Sequence, residues 1–300
     1  MNDQKTMSPR AWAELLLLGL LWGGSFVAIA IALEEVPVIT MVFHRTAWAA
    51  LVLWAVVALL RLPVPRSGRA WAAFAVMGLL NNIIPYGLMG WGQLHIESGL
   101  TSILNAASAV FGAVIAAVIF ADERLTLRRA IGVGLGFVGV ALAIGPEALR
   151  DFDIRSAAQL AVLAGAVSYG CASAWARVRL IDMSPLVASA GMLTASTIML
   201  LPVTLLVDGP PRLDLSLRSW GAIAYYALFS TALAYLLYYR IVAMAGSANL
   251  MLVTLLIPPV SVVLGAVILN ETLHATAYAG FGLLGLGLLI LNGTLFLRRD

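Results

Sequence analysis

Long apolar stretches recur along the whole chain, and short polar segments rich in arginine separate them. A helix needs about 20 apolar residues to cross the roughly 30 Å hydrocarbon core of a bilayer. Inside that core every backbone amide has to be satisfied within the protein, which helices and closed barrels achieve. The alternating strands typical of barrels are missing, so the pattern predicts an all-α integral membrane protein. Ten transmembrane helices are expected, at residues 12–33, 38–60, 71–92, 99–120, 128–145, 157–177, 186–206, 217–239, 249–269 and 275–296.

The positive charges between these spans predict the topology. With both termini on one side, thirteen of the 18 Lys and Arg residues fall on that side and four on the other. Cytoplasmic loops are the ones enriched in Lys and Arg. We therefore expect a multi-pass protein of a bacterial-type inner (plasma) membrane with both termini in the cytoplasm. Arg45 is the remaining positive charge, and it lies inside the second span.

One stretch of the sequence occurs twice. The segment containing ADERLT aligns without gaps with the segment containing LNETLH, so that Glu123 falls on Glu271. The longest polar loop divides the chain between spans five and six, which predicts two five-helix repeats over residues 1–147 and 155–300. Because each repeat holds an odd number of spans, the second is inverted, with Glu123 cytoplasmic and Glu271 external. Inverted repeats around a midplane site are typical of secondary transporters.

Composition narrows the function classes further. The chain is 62% hydrophobic and 11% charged, against about 25% charged residues in soluble domains. Its net charge of +3 is modest and resides in loops, so no nucleic-acid partner is expected. The lone cysteine, Cys171, excludes a disulfide within the chain, and the three histidines lack the helical spacing of metal ligands. No metal or cofactor is expected, and the glycines from Gly132 to Gly139 indicate close helix packing.

Several motifs resemble those of the drug/metabolite transporter superfamily. They are LLWGGSF in the first span, HRTAWAAL in the second, and the paired ADERLT and LNETLH segments. The chain is similar to the EamA branch and, within it, to the YddG-type amino-acid exporters. The resemblance covers the whole chain and implies export of small metabolites, typically amino acids, through a central cavity that opens alternately to either side. The second half has no counterpart of Arg45, since Leu193 takes the aligned position.

Arg45, next to His44, is the clearest candidate for a functional polar residue within a span. A guanidinium inside a bilayer costs at least about 2.5–3.5 kcal/mol, so it should face a cavity or a partner. One interpretation is that its planar fork binds the carboxylate of a substrate. The other is that it snorkels to the outer interface or caps carbonyls of a neighbouring helix. His44 is a candidate substrate-binding residue that titrates near neutral pH, or a satisfied core histidine.

Other polar and aromatic residues lie near the middle of spans. Asn82 and Tyr86 share a stripe of the third span, and Trp22 and Phe26 lie one turn apart in the first. Each is open to two interpretations, as a substrate contact or as interhelical hydrogen bonding and core packing. The remaining candidate substrate-binding residues are Asn105, Ser108, Tyr169 and Trp175.

Span nine contains the adjacent prolines Pro258 and Pro259, which break the helical hydrogen-bond ladder and form a candidate hinge. No Asp or Glu lies near the middle of a span. A proton relay built on carboxylates is therefore not expected.

These features favour a secondary transporter that exports aromatic or neutral amino acids and related metabolites by alternating access. Its expected partners are a small-molecule substrate and the lipid bilayer, and a monomer is sufficient because one chain holds both halves. The alternative on the same fold is efflux of hydrophobic drugs or other metabolites. An intramembrane enzyme would need a nucleophile and base or a metal at midplane, and a scaffold has no reason to bear the cost of midplane polar groups.

Overall fold

Helices form the regular structure of the part of the chain described by a computed structural model, which covers residues 7–123, 126–145, 153–212 and 214–292 without a strand. We number them along the chain. The helices are α1 (Pro9–Ala32), α2 (Val38–Leu59), α3 (Gly68–Gly92), α4 (Ser98–Ile119), α5 (Leu127–Ile144), α6 (Ile154–Arg179), α7 (Pro185–Val207), α8 (Leu217–Gly246), α9 (Val253–Ile268) and α10 (Ala275–Asn292).

The helices from α1 to α8 are long and apolar enough to cross a membrane, and the apolar stretches Val253–Ile268 in α9 and Ala275–Leu291 in α10 are shorter than 18 residues. The prediction of an all-α chain with several membrane-capable helices is confirmed. The largest difference from the predicted bounds is in α8, which continues beyond residue 239 and ends where Gly246 adopts a φ of 83°. Of the charges that entered the topology comparison, Lys5, Arg124, Arg150, Arg298 and Arg299 lie outside the described residues.

Several helices begin with their own polar cap, in which a side-chain oxygen accepts a free backbone N–H of the first turn. These caps are Ser8, Ser67, Thr126, Asp153 and Ser216. The starts of α2 and α4 instead receive a carboxylate from another part of the fold. Asp208 accepts from the Thr40 amide at 2.9 Å, and Glu271 accepts from the Ser98 amide at 2.9 Å. These bonds fix the starts of α2 and α4 against the ends of α7 and α9.

Three helices are irregular in their interior. α3 contains a π-helical segment at Leu79–Ile83, α8 contains one at Tyr225–Leu233, and α4 is interrupted at residues 106 and 107. If α3 were a regular helix, the ring of Pro85 would collide with the carbonyl group four residues earlier. The wider π turn avoids that collision. π turns are frequent at functional sites, so these irregular segments are candidate locations for the functional site.

Three antiparallel pairs join helices that are five apart in the chain order. In the α5–α10 pair, Gly132 lies against Gly287 and Gly139 lies against Gly280. α2 pairs with α7 and α4 with α9. In addition α1 packs on α8 and α9, while α6 packs on α3 and α4. The glycines of α5 and α10 therefore let these two helices pack with their backbones in contact.

The α5–α10 contact predicts a position-specific effect of adding a methyl group. At Gly139 a Cβ would lie 2.7 Å from the Gly280 carbonyl oxygen, which is backbone and cannot turn away, whereas nothing lies within 4 Å of a Cβ at Gly134. We expect Gly139→Ala to lower the free energy of unfolding by about 1–3 kcal/mol, the usual cost of overpacking. Gly134→Ala should leave it unchanged or raise it. Unfolding in detergent measures both, and equal effects of the two variants would contradict the packing.

Candidate functional site

The side chain of Arg45 points from α2 into the interior of the bundle, where it is 6% exposed. Its Nε donates to Oγ1 of Thr231 in α8 at 3.0 Å, and its guanidinium carbon lies 3.9 Å from the centre of the Tyr86 ring in α3. The Thr231 hydroxyl in turn donates to the carbonyl oxygen of Tyr226, five residues earlier, at 2.7 Å. Arg45 is therefore held on one edge by a hydroxyl and on one face by a phenol ring, rather than snorkelling to an interface.

The outer edge of this guanidinium is unused. Within the described residues its two terminal nitrogens have no hydrogen-bond acceptor, and none of the ion pairs includes Arg45. An arginine remains protonated under all conditions relevant to a protein, and a buried charge without a partner is costly. The free edge presents two parallel N–H groups, the geometry that binds a carboxylate in a bidentate manner.

Tyrosines from three helices surround Arg45. Tyr169 of α6 packs into the same cluster as Tyr86, and Tyr235 lies one turn after Thr231 in α8. Tyr226 is fully buried and donates to a backbone carbonyl of α2 at 3.4 Å. Phenol rings combine a large apolar surface with a polar end. The cluster therefore offers one positive charge, several hydroxyls and flat apolar walls.

The two asparagines of α3 face different neighbours. Asn82 is completely buried and donates to Oγ of Ser196 in α7 at 3.0 Å. Asn81 donates to the hydroxyl of Tyr235 at 3.1 Å. The structure thus places Asn81 beside the tyrosine cluster, whereas Asn82 joins α3 to α7. Both lie in the π segment, whose extra residue per turn changes which positions share a face.

Trp22 borders the Arg45 site. Its Nε1 donates to the carbonyl oxygen of Ser230 at 3.1 Å, immediately before Thr231 in α8, and its ring centre lies 6.1 Å from that of Tyr238. Phe26 is buried one turn further along α1. Trp22 therefore connects α1 to the segment of α8 that holds Arg45.

Asn105 and Ser108 line a separate small cavity at the interruption of α4. The cavity has a volume of about 10 Å³, the space of about one water molecule, and is also lined by Ser102, Thr254 and Ile257. Oδ1 of Asn105 is buried there without a hydrogen-bond partner. A polar cavity with an unsatisfied oxygen suits a water molecule or a donor group of a ligand.

His44 lines another cavity, with a volume of about 40 Å³, together with Asp208 and Glu35. Nε1 of Trp48 donates to Nδ1 of His44 at 3.2 Å, so the proton of the neutral ring is on Nε2, which is buried without a partner. Glu35 lies between α1 and α2, and hydrogen bonds from Ser216 hold the pKa of its carboxyl below the usual value. His44 and Arg45 therefore belong to different sites although they are adjacent in sequence.

Trp175 and the two prolines lie away from Arg45. Nε1 of Trp175 donates to the carbonyl oxygen of Ala73 at 3.1 Å, inside a distinct aromatic cluster. Pro258 and Pro259 lie within α9, which stays one helix across them. Their role as a hinge stays a prediction.

Four residues of the Arg45 site were absent from the set predicted from sequence. They are Asn81, Tyr226, Thr231 and Tyr235. One sequence signal was available, because Thr231 and Tyr235 lie one turn apart and form a polar stripe in an apolar span.

The model of the EamA-like transporter family matches this chain twice, over residues 11–145 and over residues 156–293. The two matches together cover most of both halves.

Similar proteins of full length are known. A probable terminal-alkyne amino-acid exporter of Streptantibioticus cattleyicolor is 28% identical, over 98% of this chain and 97% of its own length. A probable amino-acid metabolite efflux pump of Salmonella typhimurium is 26% identical, over 92% of each chain. One crystal structure at 17% identity superposes with a TM-score of 0.69 over 97% of this chain and 99% of the other, which shows the same fold.

The hydrogen bond from Arg45 to Thr231 predicts a selective loss of stability. Thr231→Val keeps the volume of the side chain but leaves a buried, charged donor without its acceptor. The cost should be about 1–3 kcal/mol of unfolding free energy. Thr231→Ser keeps the hydroxyl and serves as the matched control. If Val and Ser variants unfold alike in detergent, the hydroxyl does not hold the guanidinium.

Proposed function

Because the chain belongs to the EamA-like transporter family, we propose that it exports amino acids and similar zwitterions, with Arg45 as the group that binds their carboxylate. The observation that carries this proposal is the buried guanidinium whose terminal nitrogens have no acceptor among the described residues. A substrate carboxylate supplies both the missing negative charge and the missing acceptors.

The aromatic walls support aromatic or neutral side chains as cargo. Tyr86 lies on the guanidinium of Arg45, Tyr169 packs in the same cluster, Tyr235 accepts a hydrogen bond from Asn81 beside it, and Trp22 borders the site. A charged substrate side chain would lack a counter-ion there, whereas an apolar one covers the rings. The similar proteins of Streptantibioticus and Salmonella are named for amino acids or amino-acid metabolites, which agrees with this cargo class.

Efflux of hydrophobic drugs or other metabolites is the alternative. Many such compounds are cations, and a cation would meet the positive charge of Arg45 rather than a buried carboxylate. The electrostatics of the site therefore favour an anionic or zwitterionic substrate over a cationic one.

We further propose that the ten helices form two inverted five-helix repeats, about residues 1–147 and 155–300, that alternate in opening the site. The antiparallel pairs α2–α7, α4–α9 and α5–α10 support this, because each joins corresponding helices of the two halves. A two-fold axis in the membrane plane produces such pairs. The π segments in α3 and α8 are also at corresponding helices. A monomer contains both halves and suffices.

Counterflow of labelled amino acids into liposomes tests the substrate proposal. Loss of the bidentate contact in Arg45→Gln should raise KM roughly 10- to 100-fold, the equivalent of a lost charged hydrogen bond. Arg45→Lys should recover only part of it, because an ammonium cannot form the fork. Arg66→Gln, at an exposed loop arginine, is the matched control.

The same assay with a substrate amide in place of the free carboxylate separates the two functions. An exporter that recognises the carboxylate of the amino acid should not transport the amide analogue. Equal counterflow of both compounds, or full activity of Arg45→Gln, would remove Arg45 from the site and favour the drug-efflux alternative.

The charge distribution predicts the orientation of the chain in the inner membrane. A reporter active only in the cytoplasm should be active when fused after residue 300, and inactive when inserted into the loop between α7 and α8. The reverse pattern would overturn the assignment of both termini to the cytoplasm.

A further inference from the structure

The carboxylate of Glu271 closes one end of the α4–α9 pair. It accepts from the Ser98 amide at 2.9 Å, the Ser98 hydroxyl at 2.8 Å and the Gly99 amide at 3.3 Å, all at the first turn of α4. Gly265 leaves the necessary room, since a Cβ there would collide with the carboxylate. Three donors and the positive end of a helix dipole make this a strong cap.

Other contacts between the two helices lie at this same end. The Ser261 hydroxyl donates to the Ser98 carbonyl oxygen at 3.2 Å, and Gly99 lies against Val262. α9 packs on the Ser98–Asn105 part of α4, whereas the part beyond the interruption, Ser108–Ile119, packs on α6. The pair is therefore sealed where Glu271 lies.

Glu123 occupies the aligned position in the first half but is used differently. It follows the far end of α4, and the length of α4 separates it from Glu271 by about 30 Å at 1.5 Å per residue. Its carboxylate accepts from Arg129 at 2.7 Å and from Arg177 at 3.4 Å. The positions aligned with Ser98 and Gly99 are 246 and 247, which precede α9 in the chain.

We propose that Glu271 and Glu123 are alternating gate residues, each capping the start of the opposite repeat's helix in one of the two transport states. The proposal rests on the inverted repeats of the proposed function, in which the halves exchange conformations. In the state described here Glu271 seals the external end. In the other state Glu271 releases Ser98. Glu123 then leaves its arginines and caps the backbone amides at positions 246 and 247, before α9, which seals the cytoplasmic end.

Asp208 is a second carboxylate that caps a helix start from another helix, and a comparison with it shows what distinguishes Glu123 and Glu271. Asp208 holds the start of α2 through Thr40, but the position aligned with Asp208 is Leu60. The cap formed by Asp208 therefore has no counterpart in the other half, and we expect it to be present in both transport states. Only a duplicated carboxylate can bind the same kind of helix start at either face, so the repeat of Glu123 and Glu271 has a mechanical use.

A side-specific labelling experiment tests the exchange without a substrate. In a Cys171→Ser background, Ser102→Cys introduces a thiol at a completely buried position in the external half of α4. An impermeant maleimide added outside right-side-out vesicles reaches it only when the external end opens. Glu271→Gln removes the cap of the state seen here and should raise the labelling rate roughly 10- to 100-fold.

Glu123→Gln should lower that rate, because it weakens only the outward-open state, and the double variant should return towards the parent. Glu97→Gln, at a carboxylate of the same end that pairs with Arg155, should leave the rate unchanged. A parallel thermal-unfolding curve identifies any variant whose thiol is exposed by unfolding rather than by gating.

Labelling that is unchanged in Glu123→Gln, or that rises in both single variants, would overturn the exchange. Opposite shifts in the two variants support it even if no amino acid shows counterflow, in which case the proposed substrate class alone fails. Counterflow with no shift in either variant would leave the substrate class intact and remove the gate.

Discussion

The backbone of this chain has to satisfy its own hydrogen bonds in an apolar surrounding, and the rest of the structure depends on that constraint. It makes the described chain helical, and it requires an acceptor for the free N–H groups at each helix start. Where a local cap is missing, Asp208 and Glu271 reach across from other helices. Where a helix is irregular, as in α3 and α8, the break lies inside the bundle and hydroxyls such as that of Thr231 bind the displaced carbonyls.

The candidate functional site is built on those breaks. The π segment of α8 orients Thr231 towards Arg45, and the one in α3 directs Asn81 towards Tyr235. A buried guanidinium with an unused edge is expensive in this environment, and packing alone gives no reason to keep it. In the proposed function, the polarity that makes the site costly when empty favours a ligand that carries a carboxylate.

The two halves share their pattern of contacts yet differ at their ends. The glycine contacts of α5 and α10 allow backbones to touch along both halves, which suits a region that stays together. The α4–α9 pair is instead held at one end by a carboxylate that has a sequence counterpart at the other. Hydrogen bonds of that kind form and break without rebuilding a packed core, so the moving part of the protein is best sought there.

The sequence by itself determined the helices and the presence of one arginine within a span, and it predicts a division into two related halves. These follow from local properties, since twenty apolar residues in a row have one way to satisfy their backbone. Only the tertiary structure decided that Arg45 faces Thr231 while His44 faces another cavity, and that Asn81 rather than Asn82 contacts the tyrosines. The direction of a side chain depends on how its helix is rotated, where it is broken and which neighbour packs on it. Those are set by contacts between residues far apart in sequence, which periodicity does not encode.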